Sequence, residues 1–204
     1  MVGLVLSPQY SSATTERYFE RARAAAGTGK HLDIALVSDW HLDPDLIGFL
    51  STEVSRCCAE APGSRVFFTA HSLPVAALTN GDPYPGQVAE TARAVAVAAD
   101  LAPGGWSQAW QSAGRTADEW IGPDIRDALR AMAADGTGSV VVCPVGFSAD
   151  NLESLYDLDI EAAAVAGELG IAFRRTALPN ADRLVMASLA GRVRLLARKN
   201  GWVE

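Results

Sequence analysis

Three carboxylates and one imidazole stand out as groups whose types and spacing can do chemistry. Glu153, Asp157 and Glu161 recur every four residues, so on a helix they stack along one face. Like charges at that spacing destabilise an isolated helix by about 0.2–0.5 kcal/mol per pair. One reading is a solvated face whose first acid serves the helix start. Asp150-Asn151-Leu152-Glu153 has the form of a capping box, and the macrodipole favours acids in the first turn. The dipole fades within that turn and does not account for Asp157 or Glu161. The other reading is a path for a divalent cation, because such ions take carboxylate and water ligands when they must later be released. The imidazole is His71, in Phe68-Thr-Ala-His-Ser-Leu-Pro74. Placed beside a row of carboxylates, an imidazole can take protons near neutral pH and pass them outward.

These groups need a scaffold, and the chain supplies alternating strand-like and helix-like segments. Residues 140–142 are all valine, a buried strand without polar alternation, and Cys143-Pro-Val-Gly146 ends it. In the acidic helix that follows, Leu152, Leu155, Tyr156 and Ile160 form the expected apolar stripe. Further strands are expected at 2–6, 32–37, 65–69, 106–110 and 171–174. Helices are expected at 15–26 (with Tyr18, Phe19 and Ala22 on one side), 45–60 and 87–99, from Asp124 to Ala134, and at 182–199 with Leu184, Leu189, Val193 and Leu196 as apolar positions. Strands alternating with helices imply right-handed crossovers and a parallel sheet covered on both faces. The expected architecture is a three-layer αβα sandwich, Rossmann-like, in one domain over residues 1–204.

In open parallel sheets, ligands bind beyond the carboxyl ends of the strands. Gln9-Tyr10-Ser11, His71-Ser72, Gln111-Ser112 and Phe147-Ser-Ala-Asp150 all follow strand segments and would share one rim. Of the other candidates, His31 and His41 read as surface residues, Cys57-Cys58 as helix packing, and Cys143 as a small apolar side chain. His71-Ser72 lacks the Gly-x-Ser-x-Gly elbow of a hydrolase. No Gly-x-Gly-x-x-Gly or Walker loop is present.

With a net charge of −7 and no basic cluster, nucleic-acid binding is disfavoured. An apolar share of 49% without a run of about 20 apolar residues excludes a membrane span. The three cysteines form no disulfide or metal spacing, and a cytoplasmic setting is expected.

Several segments together resemble ferrochelatases, the enzymes that insert ferrous iron into a porphyrin. They are Ser7-Pro-Gln-Tyr-Ser11, Phe68-Thr-Ala-His-Ser-Leu-Pro74 and Gly81-Asp-Pro-Tyr-Pro85; Trp110-Gln-Ser112 with Trp120-Ile-Gly-Pro123; Pro144-Val-Gly-Phe147 through Asp150, Glu153, Asp157 and Glu161; and Leu178-Pro-Asn180. The style of the sequence is similar to the actinobacterial branch, whose members metallate coproporphyrin III. The resemblance implies that His71 accepts pyrrole protons or contacts the metal opposite Glu153. It implies that Asp157 and Glu161 line the metal or proton route, and that Tyr10, Ser11, Tyr84, Trp120 and Phe147 bind the macrocycle. It also implies porphyrin and Fe2+ as substrates.

Three departures accompany it. The family has two similar lobes around a porphyrin cleft, and this chain matches only the second, C-terminal one; the first lobe is expected to be absent. Asn151 stands where the family carries a histidine, and it cannot titrate. No cysteines suited to the iron–sulfur cluster of many actinobacterial relatives are present, so no cluster and no tightly bound cofactor are expected. The leading expectation is a coproporphyrin-type ferrochelatase lobe, weak or inactive in isolation. The alternatives are a single-lobe porphyrin- or metal-binding carrier and a small chelatase acting as a homodimer.

Overall fold

The structure, a computed structural model, describes residues 1–27, 32–78 and 81–204. Its elements run β1 (Val2–Leu4), α1 (Thr15–Gly27), β2 (Ala35–Val37), α2 (Pro44–Glu60), β3 (Arg65–His71), α3 (Tyr84–Ala98), β4 (Trp106–Gln111), α4 (Ile125–Ala134) and β5 (Ser139–Cys143). A π-helix (Ser154–Ala162) then leads into α5 (Ala163–Glu168), β6 (Ala172–Arg175) and α6 (Arg183–Lys199). A short 3-10 turn, Val75–Ala77, lies between β3 and α3. His31 and Asn80 fall outside the described residues.

Every strand pair is parallel. The expected single sheet is divided: β4-β3-β5-β6 forms one sheet, and β1-β2 forms a separate pair. Along β3 and β5 the side chains alternate between two cores, as the pleat requires. Val66, Phe68, Ala70, Val141 and Cys143 pack with Leu46 and Leu50 of α2, Val88 and Val95 of α3, and Val185 and Leu189 of α6. Phe67, Val140 and Val142 pack on the opposite face with Ile125 and Leu129 of α4, Leu158 of the π-helix and Ala166 of α5. Both faces are covered, which gives the three-layer arrangement and explains why β5 reads as an unbroken apolar run. Among the described residues no helix is long and apolar enough to cross a membrane.

Two helix faces differ from expectation. Phe19 is buried, whereas Tyr18 is exposed, because neighbours on a helix lie about 100° apart. In α6 the buried positions are Val185, Leu189 and Ala197, and Leu184 faces outward.

The start of α2 is fixed by a buried carboxylate. Asp43 accepts the backbone N–H groups of Asp45 and Leu46 at 3.1 and 3.4 Å, the N-cap arrangement that satisfies otherwise unpaired donors. Its other oxygen accepts Ser188 Oγ at 2.7 Å and Arg192 Nε at 2.6 Å from α6. Burial opposes its charge, yet the hydrogen bonds from Ser188 and Arg192 hold its carboxyl below the ordinary range. A lowered folded-state value means that the stabilisation is complete above about pH 4, the unfolded value, and is lost as pH falls through the folded one. Asp43→Ala is expected to cost about 2–4 kcal/mol at neutral pH, read from the urea midpoint. The difference from the parent should shrink as the pH is lowered towards 3.

Candidate functional site

β3 continues two residues beyond its expected end, so His71 is its last strand residue rather than part of the loop. The ring is oriented on one side by the chain itself: Nδ1–H donates to the backbone carbonyl of Ser72. In the neutral ring that bond keeps the proton on Nδ1 and leaves Nε2 as the acceptor. Nε2 faces Oε1 of Glu153 at 3.5 Å. The backbone of His71 is held as well, since the buried Tyr84 hydroxyl donates to its carbonyl at 2.8 Å. Burial, and then the negative charge of Glu153, push the Tyr84 hydroxyl far above its ordinary value, so it stays a donor at any physiological pH. Ser72 is committed to the fold: its hydroxyl donates to the Ile121 carbonyl at 2.7 Å, which removes it as a nucleophile.

His71 stands on the wall of a mostly apolar cavity of about 350 Å³ that also includes Leu6, Tyr18, Leu73, Tyr84 and Phe147. The turn carrying Phe147 lies against the end of β3. Gly146 N–H donates to the Thr69 carbonyl at 3.2 Å, and a Cβ on Gly146 would stand 2.6 Å from Ala70 Cβ.

The acidic segment departs from its expected form in two ways. Its N-cap is Asn151, whose Oδ1 accepts the Ser154 N–H at 2.9 Å, and not Asp150. The Asp150 carboxylate is engaged elsewhere, by Asn180 Nδ2 at 2.8 Å and Arg175 at 3.1 Å. After Leu152 and Glu153, which are α-helical, the chain becomes a π-helix from Ser154, in which i→i+5 bonding widens the turn beyond about 3.6 residues. In this wider coil the buried face is Ser154, Leu158 and Ala162. The expected apolar stripe points outward instead, with Leu152 80% and Ile160 58% exposed.

The four candidate metal contacts fall into two groups. His71 lines the first cavity and Glu153 faces its ring from outside that lining. Asp157, which accepts the Ser112 hydroxyl, and Glu161, which pairs with Arg126 at 3.0 Å, line a second, polar cavity of about 140 Å³ together with Tyr156, Arg115 and Asp124. Among the described residues no three His, Cys, Asp or Glu side chains gather as a metal site.

The expected macrocycle contacts divide similarly. Tyr84 and Phe147 line the first cavity; Tyr10, Ser11 and Trp120 do not. The Tyr10 hydroxyl donates to Glu16 at 3.0 Å. Ser11 is fully buried and its hydroxyl donates to Asp82 at 3.3 Å. Trp120 packs against Gly114, and its indole N–H donates to Thr116. In their place Leu6, Tyr18 and Leu73 complete the wall. Tyr18 joins this wall because it faces outward beside the buried Phe19.

His41 is a correction. It is buried, not on the surface, with Nδ1 3.2 Å from Asp39 and Nε2 2.9 Å from Glu90, so it ties the β2–α2 loop to α3. Cys57 and Cys143 are buried, and burial pushes the Cys143 thiol up to about 12, which leaves it unreactive.

Two substitutions test this geometry. Gly146→Ala should cost about 1–3 kcal/mol through overpacking, with the amide resonances of Phe147 and His71 shifted together. Asn151→Ala should cost about 1 kcal/mol and Asn151→Asp much less, both read from thermal unfolding.

A match to the ferrochelatase family runs over residues 1–195. The chain is 38% identical over 195 residues to a ferrochelatase of Deinococcus radiodurans, covering 93% of this chain and 62% of that protein. It is also 38% identical over 195 residues to a coproporphyrin III ferrochelatase of Geobacillus kaustophilus, covering 93% and 61%. A ferrochelatase of Thermus thermophilus is 40% identical over 185 residues, covering 89% and 58%. The chain thus spans about six-tenths of the length of these relatives. Because the match extends from β1 into α6 and takes in both His71 and the acidic segment, the chain belongs to the ferrochelatase family.

Proposed function

We propose that this chain carries the catalytic lobe of a coproporphyrin III ferrochelatase, with His71 and Glu153 as the pair that handles the porphyrin protons. The observation that carries this reading is Nε2 of His71 facing Glu153 Oε1 at 3.5 Å beside the apolar cavity. A free-base porphyrin holds N–H protons where the metal must go, so a base has to remove them. The Nε2 lone pair accepts one such proton, while Nδ1–H stays on the Ser72 carbonyl. The imidazolium so formed is stabilised by the Glu153 carboxylate. Glu153 is about half exposed, so a proton passed to it has an outlet to solvent.

Ferrous iron enters as the second substrate. It must exchange water for weaker oxygen ligands before four nitrogens capture it, and Glu153, Asp157 and Glu161 offer those oxygens in succession. Leu73, Tyr84 and Phe147 present the apolar wall that a macrocycle face would cover. Residues 1–204 form one lobe, and the second wall of the cleft comes from the additional length that the relatives have. Half a cleft neither orients the macrocycle nor excludes water, so the isolated chain turns over slowly or only binds porphyrin. The preference for coproporphyrin III is supported by what the Geobacillus relative is named for.

Anaerobic absorbance assays with ferrous iron and coproporphyrin III or protoporphyrin IX test the reading. With the chain joined to the remaining length of a relative, insertion is expected, faster with coproporphyrin III. His71→Ala and Glu153→Gln should each lower the rate by about 100-fold or more while circular dichroism is unchanged. Full rates in both variants would remove the pair from the chemistry. A porphyrin shift without insertion in every form would support a binding protein instead.

A further inference from the structure

Glu153 acts through its position, yet among the described residues its carboxylate has no hydrogen-bond or ion-pair partner other than His71. What holds it is its helix, which outside side chains grip at several points: Ser112 at Asp157, Arg126 at Glu161, and Arg175 at acids on both sides of Glu153. Arg175, the last residue of β6, has a side chain only 14% exposed. Its guanidinium forms a two-pronged pair with Asp159, Nε to Oδ1 at 2.7 Å and Nη2 to Oδ2 at 2.9 Å. Nη1 reaches Asp150 Oδ1 at 3.1 Å and donates to the Thr176 carbonyl at 3.2 Å. Asp150 and Asp159 lie on either side of Glu153 in sequence, one before the cap and one within the π-helix.

The other end of this clamp is rigid. Arg175 pairs with Val142 in the sheet, and Val142 pairs with Phe67 of β3, the strand that ends in His71. The base and the acid are thus referred to the same frame, one through β3 and the other through Arg175. We propose that Arg175 is a positioning residue that sets where Glu153 stands relative to His71. This rests on the functional reading above. Asp150 has a second brace, since its N–H donates to Asn180 Oδ1 and Asn180 Nδ2 donates back, each at 2.8 Å. Asp159 has Arg175 as its partner. Loss of Arg175 therefore releases Asp159 while the Asp150–Asn180 brace before Glu153 and the Asp157–Ser112 and Glu161–Arg126 contacts after it remain, and the turn carrying Glu153 shifts between them. A lysine cannot replace the fork, because an ammonium offers a point charge rather than a planar pair of donors.

Cobalt(II) binding to the 204-residue chain, followed by titration calorimetry and visible absorption, tests this without turnover. Glu153→Gln is expected to weaken cobalt binding by about tenfold in the parent background and by less than about twofold in Arg175→Met. Arg175→Lys should resemble Arg175→Met, and Asp159→Asn, a milder change, should give the same loss of coupling if Arg175→Met folds poorly. Amide exchange over residues 152–162 should quicken in all three. A full tenfold effect of Glu153→Gln in the Arg175→Met and Asp159→Asn backgrounds, or parental coupling in Arg175→Lys, would overturn the positioning role and leave the functional reading standing. No effect of Glu153→Gln in the parent would overturn the functional reading, and the positioning role with it.

Discussion

The cavity wall depends on how closely the turn after β5 lies against the last residues of β3. Gly146 donates its N–H to Thr69, and the space a side chain would need there is already occupied by Ala70. This contact carries the chain from a strand in the middle of the sheet over the end of its neighbour. Phe147 then reaches the same cavity as His71, and the acidic segment begins within reach of the imidazole. A glycine is the residue that permits so close an approach of two backbones.

Charge follows from that placement. Asp150, Glu153, Asp157, Asp159 and Glu161 crowd a short segment, and left alone they would repel one another. Most are engaged from outside the segment: Asp150 and Asp159 by Arg175, Glu161 by Arg126, Asp157 by Ser112. Glu153 is held by none of these and turns to His71. The selective engagement of its neighbours is what distinguishes one carboxylate from the rest of an otherwise uniform acidic run.

The π-helix shows where local reading fails. Hydrophobic periodicity assumes an α-helical turn, and on that assumption Leu152, Leu155, Tyr156 and Ile160 belong inside. Instead Ser154, Leu158 and Ala162, also spaced by four, take the inward positions against the sheet, and the expected stripe meets solvent. Asp150 illustrates a related limit. A capping motif competes with partners distant in sequence, and here Arg175 and Asn180 took the aspartate while Asn151 took the cap. Tyr10, Ser11 and Trp120 were assigned to the macrocycle by the family resemblance, but hydrogen bonds and packing to neighbouring loops turn them away from the cavity.

The order of strands and helices, the burial of β5 on both faces, and the arrival of His71 and the acids at one sheet rim could be read from residue pattern. Apolar runs, breakers and parallel crossovers are local or topological properties, and few folds satisfy them. Which ring nitrogen is the acceptor, which acid faces it, how the acidic helix is wound and how deeply His41 is buried could not be read that way. Each depends on contacts between residues tens of positions apart, where a shift of about one residue in register exchanges one partner for another. Those choices are made only when the layers pack.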